Sequence, residues 1–495
     1  MKIAKNTDSL IPRLSGQFIL CQHSRLIPPS WQVKENPPWL LITDPDLPVM
    51  DLLFPDNRCI GWLIGYPICQ NSLISSKQYV FQEHSSNKVI QFIVNSLGGR
   101  FLCVLLHNIN RLYPDPGGSF PVVYSEKKLI AASSVSLIPG YEKDIDTKLM
   151  QTVGMPYTKD SWFPFGLTSV KHTSRLLPNH YLDLSLWKSK RHWPDKKTID
   201  INEYVADGSI STIGNIIENN IHALTNYSPI NMSLTAGVDT RLLLACSREL
   251  LDKIFFFTLY NKTRNSVDCH IASLLKKRWR LEHSFIKLEK APDDYLKYFC
   301  LSTGFCVSLV KGHVNYSLRH LGKKRFLLTG MASPVSKAVY SLPGDMSIRE
   351  LDPYEIIKRL GIPHKQQIIK NIQILNRAKE WLTEISHLKA NTIFDLLYME
   401  QKNGCWAAPQ TLIDKNRALS NIWPCNHRKI YQLMLQLPVE YKMKYQMHTD
   451  ICLKKWPELL EVPYNMFTGK KKIFNAILLL RKKLKSLKNI INTCL

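Results

Sequence analysis

The amino-acid sequence predicts an α/β protein with a strand-rich N-terminal region and a C-terminal region built on a doubly wound parallel sheet with a helical extension. Short apolar runs between Pro/Gly turns favour an antiparallel layer before residue 165. Apolar runs that alternate with helical patterns after residue 200 favour the parallel sheet. Beyond residue 345 the pattern is mostly helical. We therefore expect domains at 1–165 and 201–495, joined by an interdomain segment at 166–200.

The predicted strands of the N-terminal region are clearest between residues 99 and 134. The run 99–107 is apolar and of strand length, and 111–124 contains a strand, a Pro/Gly turn and a second strand. Another short apolar stretch follows at 129–134. Strands this short and closely spaced indicate an antiparallel sheet layer.

The C-terminal region alternates between the two periodicities. Apolar residues at helical spacing fill 210–224. Strand candidates lie at 253–260, 284–288 and 325–330, and the first of these is apolar throughout, as expected for the middle of a parallel sheet.

The stretch from Asn231 to Ala245 combines the end of a strand, a turn of small residues at 235–237 and the start of a helix. Such a turn presents backbone N–H groups and the positive end of a helix dipole, which together favour phosphate. Ligands of α/β sheets bind at the carboxyl ends of the strands. We therefore predict a phosphate site here and expect the strand ends near Thr258 and Gly330 to converge on it.

The composition of the chain limits the kinds of partner and cellular location that we expect. The chain has 495 residues and a formal net charge of +25, which attracts polyanions, although ordinary solvated lysines explain the charge equally well. The 12 cysteines include no Cys-x-x-Cys pair, which favours reduced thiols and gives zinc little support. We find no apolar run long enough to span a bilayer and no signal-like segment at the start, so a cytoplasmic location is expected.

The last segment, 470–495, has an apolar stripe at helical spacing together with many lysines. We favour a terminal helix docked on the core, with a solvated basic face. The alternative is peripheral membrane contact, in which this helix lies on anionic lipid.

Residues Thr235-Ala-Gly-Val-Asp-Thr240 resemble the Ser-Gly-Gly-x-Asp-Ser loop of the PP-loop ATP pyrophosphatases, and their surroundings resemble divergent members of the asparagine synthetase-like family. The further similar segments are Gly99-Arg-Phe101, 115–124 and 132–134 in a glutaminase-like domain, 176–182 between domains, and Leu328-Thr-Gly330 and Trp456-Pro-Glu-Leu459 later in the chain. The resemblance implies an Ntn-hydrolase-like β-sandwich layer at the N-terminus and an ATP-binding domain after it.

The resemblance also implies a reaction. ATP would be split between its α- and β-phosphates, and a small-molecule, sugar or peptide carboxylate would become an acyl-adenylate. Ammonia or another amine would then attack and form an amide. No specific nucleic-acid partner is implied, and a homodimer is compatible with the sequence.

The same resemblance assigns roles to individual residues. Asp239 would bind Mg²⁺, which prefers carboxylate and phosphate oxygens, and Lys471 lies roughly where the family has a catalytic lysine. Arg241 could contact phosphate or pair with an internal acid. The predicted ATP-binding residues are Thr235, Ala236, Gly237, Val238, Asp239, Thr240, Arg241, Thr258, Leu259 and Gly330.

Two departures from the family pattern qualify these roles. The chain begins Met1-Lys-Ile and its first cysteine is Cys21, so the N-terminal thiol that a glutaminase of this type needs is absent. In addition, Pro334 stands where the family has an acid and Lys337 where divergent members have arginine, with Asp345 as a candidate replacement for the acid. We therefore expect no glutaminase activity.

Three functions follow from the sequence. The first is ATP-dependent amide formation without glutamine. The second is a catalytically impaired protein of the same fold that binds a nucleotide or a partner, as the missing acid suggests. The third is a basic module that binds membrane surfaces or polyanions.

Overall fold

The computed structural model describes residues 14–23, 27–194, 207–321, 326–342, 345, 351–412, 420–469, 471 and 474–475. Within these ranges the chain is mixed α/β and forms three sheets, one of them parallel. The predicted domain boundary near residue 200 and most of the basic C-terminal segment lie outside the described residues.

The N-terminal elements are mainly short strands. They are β1 (Phe18–Cys21), β2 (Gln32–Asn36), β3 (Trp39–Thr43), β4 (Val49–Leu53), β5 (Cys59–Cys69), β6 (Ser72–Leu73), β7 (Gln78–Val80), α1 (Ser86–Gln91), β8 (Leu97–Leu105), β9 (Arg111–Pro114), β10 (Val123–Ser125), β11 (Ile130–Ala132), α2 (Thr147–Val153), β12 (Ser174–Arg175), β13 (His180–Asp183) and β14 (Lys188–Arg191).

These strands form two sheets. One has the order β12-β10-β11-β1-β3-β2, and the other has the order β14-β13-β9-β8-β5-β4-β7 with β6 added to β5. Nearly all the pairs are antiparallel, as the sequence predicted, and β4–β7 is a parallel pair. Strands β12 to β14 come from the predicted interdomain segment and extend both sheets.

The two sheets stack face to face on one buried core. Phe18 and Leu41 of the first sheet and Trp62 and Val104 of the second belong to the same apolar cluster. Alternate residues of each strand point to opposite faces, so the outer faces need separate cover. Val89 of α1 packs on the second sheet.

The C-terminal elements alternate strand and helix and then become helical. They are α3 (Asp207–Tyr227), β15 (Ile230–Ser233), α4 (Val238–Ala245), β16 (Ile254–Tyr260), α5 (Val267–Trp279), β17 (His283–Lys287), α6 (Asp293–Ser302), α7 (Leu309–Ser317), β18 (Phe326–Leu328), α8 (Pro353–Arg359), α9 (Lys365–Ile369), α10 (Ile372–Ile385), α11 (Ala390–Leu397), β19 (Asn421–Ile422), α12 (Arg428–Gln436), α13 (Val439–Met443) and α14 (Gln446–Lys455).

The third sheet is parallel throughout, with the order β17-β16-β15-β18-β19. The chain starts at β15, moves outwards to β17 and then returns to the other side of β15 with β18. Met232 and Phe256 are fully buried within the sheet, which explains the continuous apolar runs in the sequence. Ile213 and Ile217 of α3 pack in the same core, as their helical spacing predicted.

Buried polar contacts join the two regions. The Asn426 side chain donates to Asp115 Oδ1 and to the Gly99 carbonyl oxygen, both at 2.6 Å. Arg191 donates to both carboxylate oxygens of Glu400, at 2.6 and 2.8 Å. Asp115 and Gly99 belong to the segments that resemble a glutaminase-like domain, and here they attach that region to the C-terminal one.

In the part of the chain described here, no helix combines the length and the apolar character that crossing a bilayer requires. The described cysteines are free, in agreement with the expected reduced thiols.

Candidate functional site

The predicted turn follows β15 and is closed by its own hydroxyl groups. The Thr235 amide donates to Thr240 Oγ1 at 3.2 Å, and the two threonine hydroxyls are 2.9 Å apart. The Gly237 amide donates to Thr235 Oγ1 at 3.2 Å. These bonds fix the path of the turn into α4, so the threonines have a structural role beside any contact with a ligand.

Ala236, in the middle of the turn, is held from two sides. Its amide donates to Asp268 Oδ1 at 2.8 Å, and its carbonyl accepts from the Asn465 amide at 3.0 Å. The turn therefore already binds one anionic group, the carboxylate of Asp268. The amides that begin α4, at Val238, Asp239 and Thr240, have no intrahelical partner, because the first turn of a helix lacks preceding carbonyls.

Asp239 is the most strongly engaged side chain of the site. Ser333 Oγ donates to its Oδ1 at 2.7 Å, and His448 Nε2 lies 3.1 Å from the same oxygen. Lys337 Nζ donates to Oδ2 at 2.7 Å. Burial alone would raise the pKa of the Asp239 carboxyl, but the contacts with His448 and Lys337 outweigh burial and hold that pKa well below its usual range. The carboxylate is therefore ionised and paired.

These partners bear directly on the predicted Mg²⁺. A divalent cation needs several oxygen ligands, and both oxygens of Asp239 already accept hydrogen bonds from cationic or neutral donors. No cluster of three His, Cys, Asp or Glu side chains suited to a metal occurs among the described residues. The donor set thus does not fit Mg²⁺, and the prediction that Asp239 is a metal ligand disagrees with this arrangement.

Gly330 lies against Asp239 at the end of β18. A Cβ atom on Gly330 would be 2.7 Å from the Cβ of Asp239 and 3.2 Å from its carbonyl carbon. Ser333 and Lys337 follow in a short 3₁₀ turn, so the loop after β18 closes over the start of α4. The expected convergence of these two strand ends is therefore confirmed.

The predicted phosphate contact of the Arg241 side chain is wrong for this structure. Arg241 is fully buried, and its Nη1 donates to the carbonyls of Leu459 and Val462 at 2.7 and 2.8 Å. The guanidinium also lies over the Tyr464 ring, 4.9 Å from its centroid. It points into the protein because it fastens the 3₁₀ turn Pro457–Glu461 to α4.

Thr258 and Leu259, which the resemblance places among the ATP-binding residues, differ in their placement. Thr258 is fully buried, and its hydroxyl donates to the Leu234 carbonyl at 2.6 Å and lies 2.8 Å from His283 Nε2. The hydroxyl of Thr258 is therefore occupied within the sheet. Leu259 is half-buried and packs beside Phe257 and Ile286.

Lys471, Asp345 and Pro334 are not among the residues that contact Asp239. Lys471 is exposed, and its amide donates to the Thr468 carbonyl at 3.2 Å. Asp345 cannot replace the missing acid, because Arg359 binds both of its oxygens at 2.9 Å. Pro334 is buried within the 3₁₀ turn.

Sequence reasoning missed three contributors: Asp268, Ser333 and His448. Asp268 is the first acid of α5, which is a common position for a residue that stabilises its own helix. His448 lies 209 residues from Asp239 in the chain, and its fully buried imidazole carries no local signal. The similar segment Trp456-Pro-Glu-Leu459 begins only after the helix that carries His448, so it does not indicate this histidine.

No model of a known protein family matches this chain, and a comparison with curated proteins finds no match either. The resemblance to asparagine synthetase-like proteins therefore depends on the short segments quoted above.

Proposed function

We propose that this protein binds ATP, with the phosphates at the first turn of α4, and uses it to activate a carboxylate for amide formation through an acyl-adenylate. The reaction is the one that the sequence resemblance implies. Support for the binding step comes from the arrangement around the turn, where helix-initiating amides without intrahelical partners, Lys337 and Gly330 meet at the carboxyl ends of the strands.

We also propose that the parallel sheet of this mixed α/β protein is doubly wound. The order β17-β16-β15-β18-β19 is the order that a doubly wound sheet would have, and its direction reverses between β15 and β18. Ligands of such sheets bind at that reversal, beyond the carboxyl ends of the strands. The turn at 235–237 follows β15 directly. We propose an Ntn-hydrolase-like sandwich, without glutaminase activity, for the N-terminal region.

The observation that carries the binding proposal concerns Gly237. Its φ of −79° is open to any residue. A Cβ atom there would meet only Thr235 Oγ1, at an ordinary 3.4 Å. The described fold therefore does not require a glycine at this position. Close approach of a phosphate group to the backbone does require one, as in other glycine-containing phosphate turns.

A second candidate is nucleotide binding without turnover. The pairing of Asp239 with Lys337 and His448 favours it, because the carboxylate in the first turn of α4 is already neutralised. The two candidates share the binding site and differ only in whether the α–β phosphate bond is broken.

The test uses the full-length protein and Gly237→Ala, with Gly208→Ala as the matched control. Gly208 is exposed in α3, and a Cβ atom there meets nothing within 4 Å. Equilibrium dialysis with radiolabelled ATP should show binding by the wild type and the control, and a loss of binding by Gly237→Ala. Thermal unfolding should show that this variant is folded, with a loss of at most about 1 kcal/mol at the N-cap of α4. Equal binding by all three proteins would place the phosphates elsewhere.

Turnover is measured separately, as ATP–pyrophosphate exchange with a panel of small, sugar and peptide carboxylates. Exchange with any acceptor supports amide formation. Binding without exchange across the panel supports the second candidate.

A further inference from the structure

We infer that this site binds the polyphosphate of a nucleotide without a divalent cation, because the ammonium group of Lys337 supplies the positive charge that the cation would supply. The inference rests on the proposed nucleotide binding and concerns the form of the ligand. It predicts metal-free ATP, or another metal-free polyphosphate, as the species that the turn accepts.

The negative charge of Asp239 is paired with an ammonium group. In a magnesium site a carboxylate and the phosphate oxygens share the cation between them. Here the charge partner of Asp239 is Lys337, whose Nζ lies 2.7 Å from Oδ2. The carboxylate can therefore hold an ammonium group at the start of α4, in the role that it would have toward a metal ion.

Lys337 has N–H donors that Asp239 does not use. An ammonium group has three N–H donors, and the contact with Asp239 uses one of them. The side chain is partly exposed, at 17%, so the group is not sealed inside the protein. Lysine binds phosphate as a point charge, as the lysine of phosphate-binding loops does. Lys337 can thus contact Asp239 and a phosphate oxygen together.

The two carboxylate oxygens of Asp239 accept from different donors. Ser333 and His448 both approach Oδ1, which leaves Oδ2 to Lys337. The Ser333 hydroxyl and the His448 imidazole therefore fix the carboxylate through Oδ1, and Oδ2 orients the ammonium group of Lys337. We regard Asp239 as a positioning residue for Lys337.

The other acids that the structure describes near the turn, or that the sequence offers as replacements, have partners of their own. Pro334 occupies the place where the family resemblance implies an acid, and Arg359 binds both oxygens of Asp345. The other carboxylate at the turn, Asp268, accepts the Ala236 amide. Within the described ranges, the groups around the turn therefore balance phosphate charge with Lys337 and helix amides.

The experiment compares ATP binding by the full-length protein in excess EDTA and in excess MgCl₂, using equilibrium dialysis. The variants are Lys337→Gln, which removes the charge, and Lys337→Arg, which keeps it. Lys253→Gln is the matched control, because Lys253 is exposed and directly precedes β16, at the amino ends of the parallel strands.

We expect the wild type, the control and Lys337→Arg to bind ATP in EDTA. Loss of a charge-assisted hydrogen bond should weaken binding by Lys337→Gln in EDTA by about 10- to 100-fold. Thermal unfolding checks that each variant is folded. The wild-type comparison decides the question of metal dependence even if Lys337→Gln fails to fold.

Two results overturn the inference and leave the proposed function intact: wild-type binding that requires Mg²⁺, and undiminished binding of metal-free ATP by folded Lys337→Gln. Absence of ATP binding in both buffers has a different meaning, since it refutes the proposed nucleotide function itself.

Discussion

Replacing Arg241 with methionine separates a structural role from a ligand-binding role. The methionine retains an apolar stem of similar reach and removes the guanidinium, which the structure shows bonded to the carbonyls of Leu459 and Val462. The substituted protein should lose stability while the turn at 235–237 keeps its shape.

The magnitude follows from the two hydrogen bonds. Each bond from a charged donor contributes about 1.5–3 kcal/mol, so the pair contributes about 3–6 kcal/mol. Burial of the unpartnered Nε and Nη2 atoms of Arg241 offsets part of this gain, at about 1–3 kcal/mol for each buried group. We expect a net loss of about 2 kcal/mol and, because the unfolding entropy grows with chain length, a fall in the unfolding temperature of about 2–3 °C.

The assay is thermal unfolding followed by circular dichroism, combined with ATP dialysis. Lys277→Met is the control, because Lys277 is an exposed cation of α5. Hydrogen exchange should also accelerate in residues 457–469, which Arg241 attaches to α4. An Arg241→Met protein that unfolds at the wild-type temperature but loses ATP binding would refute the structural role and restore the phosphate contact.

Two further predictions concern packing and pH. Gly330→Ala places a methyl group 2.7 Å from the Cβ of Asp239, so we expect a loss of about 1–3 kcal/mol in unfolding free energy, and an unchanged unfolding temperature would contradict this close approach. Burial, aided by the charges of Lys276 and Arg264, lowers the pKa of His283 from 6.5 to about 4. The neutral imidazole then contributes stability that is complete above pH 6.5 and lost as the pH falls from 6.5 towards 4. Unfolding temperatures measured at several pH values should therefore decline less steeply for His283→Gln than for the wild type, and parallel curves would exclude His283 as a cause.

The strand and helix patterns predicted much of the described architecture because their causes are local. The stripe from Ile210 to Leu224 repeats at the helical period and is buried in α3. The apolar run predicted at 253–260 forms β16, whose middle residues are buried. The segment 166–200 shows the limit of this approach. Its short strands were not predicted, since two- to four-residue strands depend on the partner strands that receive them.

The turn at 235–237 illustrates what the sequence determined by itself. Small residues between a strand and a helix specify a backbone path, and that path places amides at the carboxyl edge of a sheet. The local order of residue types was enough to predict the turn and its convergence with Gly330.

Only the tertiary structure decided which side chains face the turn. Asp239 meets Lys337 and His448 across 98 and 209 residues of chain, and Arg241 meets Leu459 across 218. Buried polar groups take whichever partners the packed fold brings near, because an unpaired buried group is costly, and no periodicity in the sequence encodes those pairs. Because of this packing, Asp239, predicted as a metal ligand, forms an ion pair with Lys337. Arg241, predicted to contact phosphate, is buried and donates to the carbonyls of Leu459 and Val462.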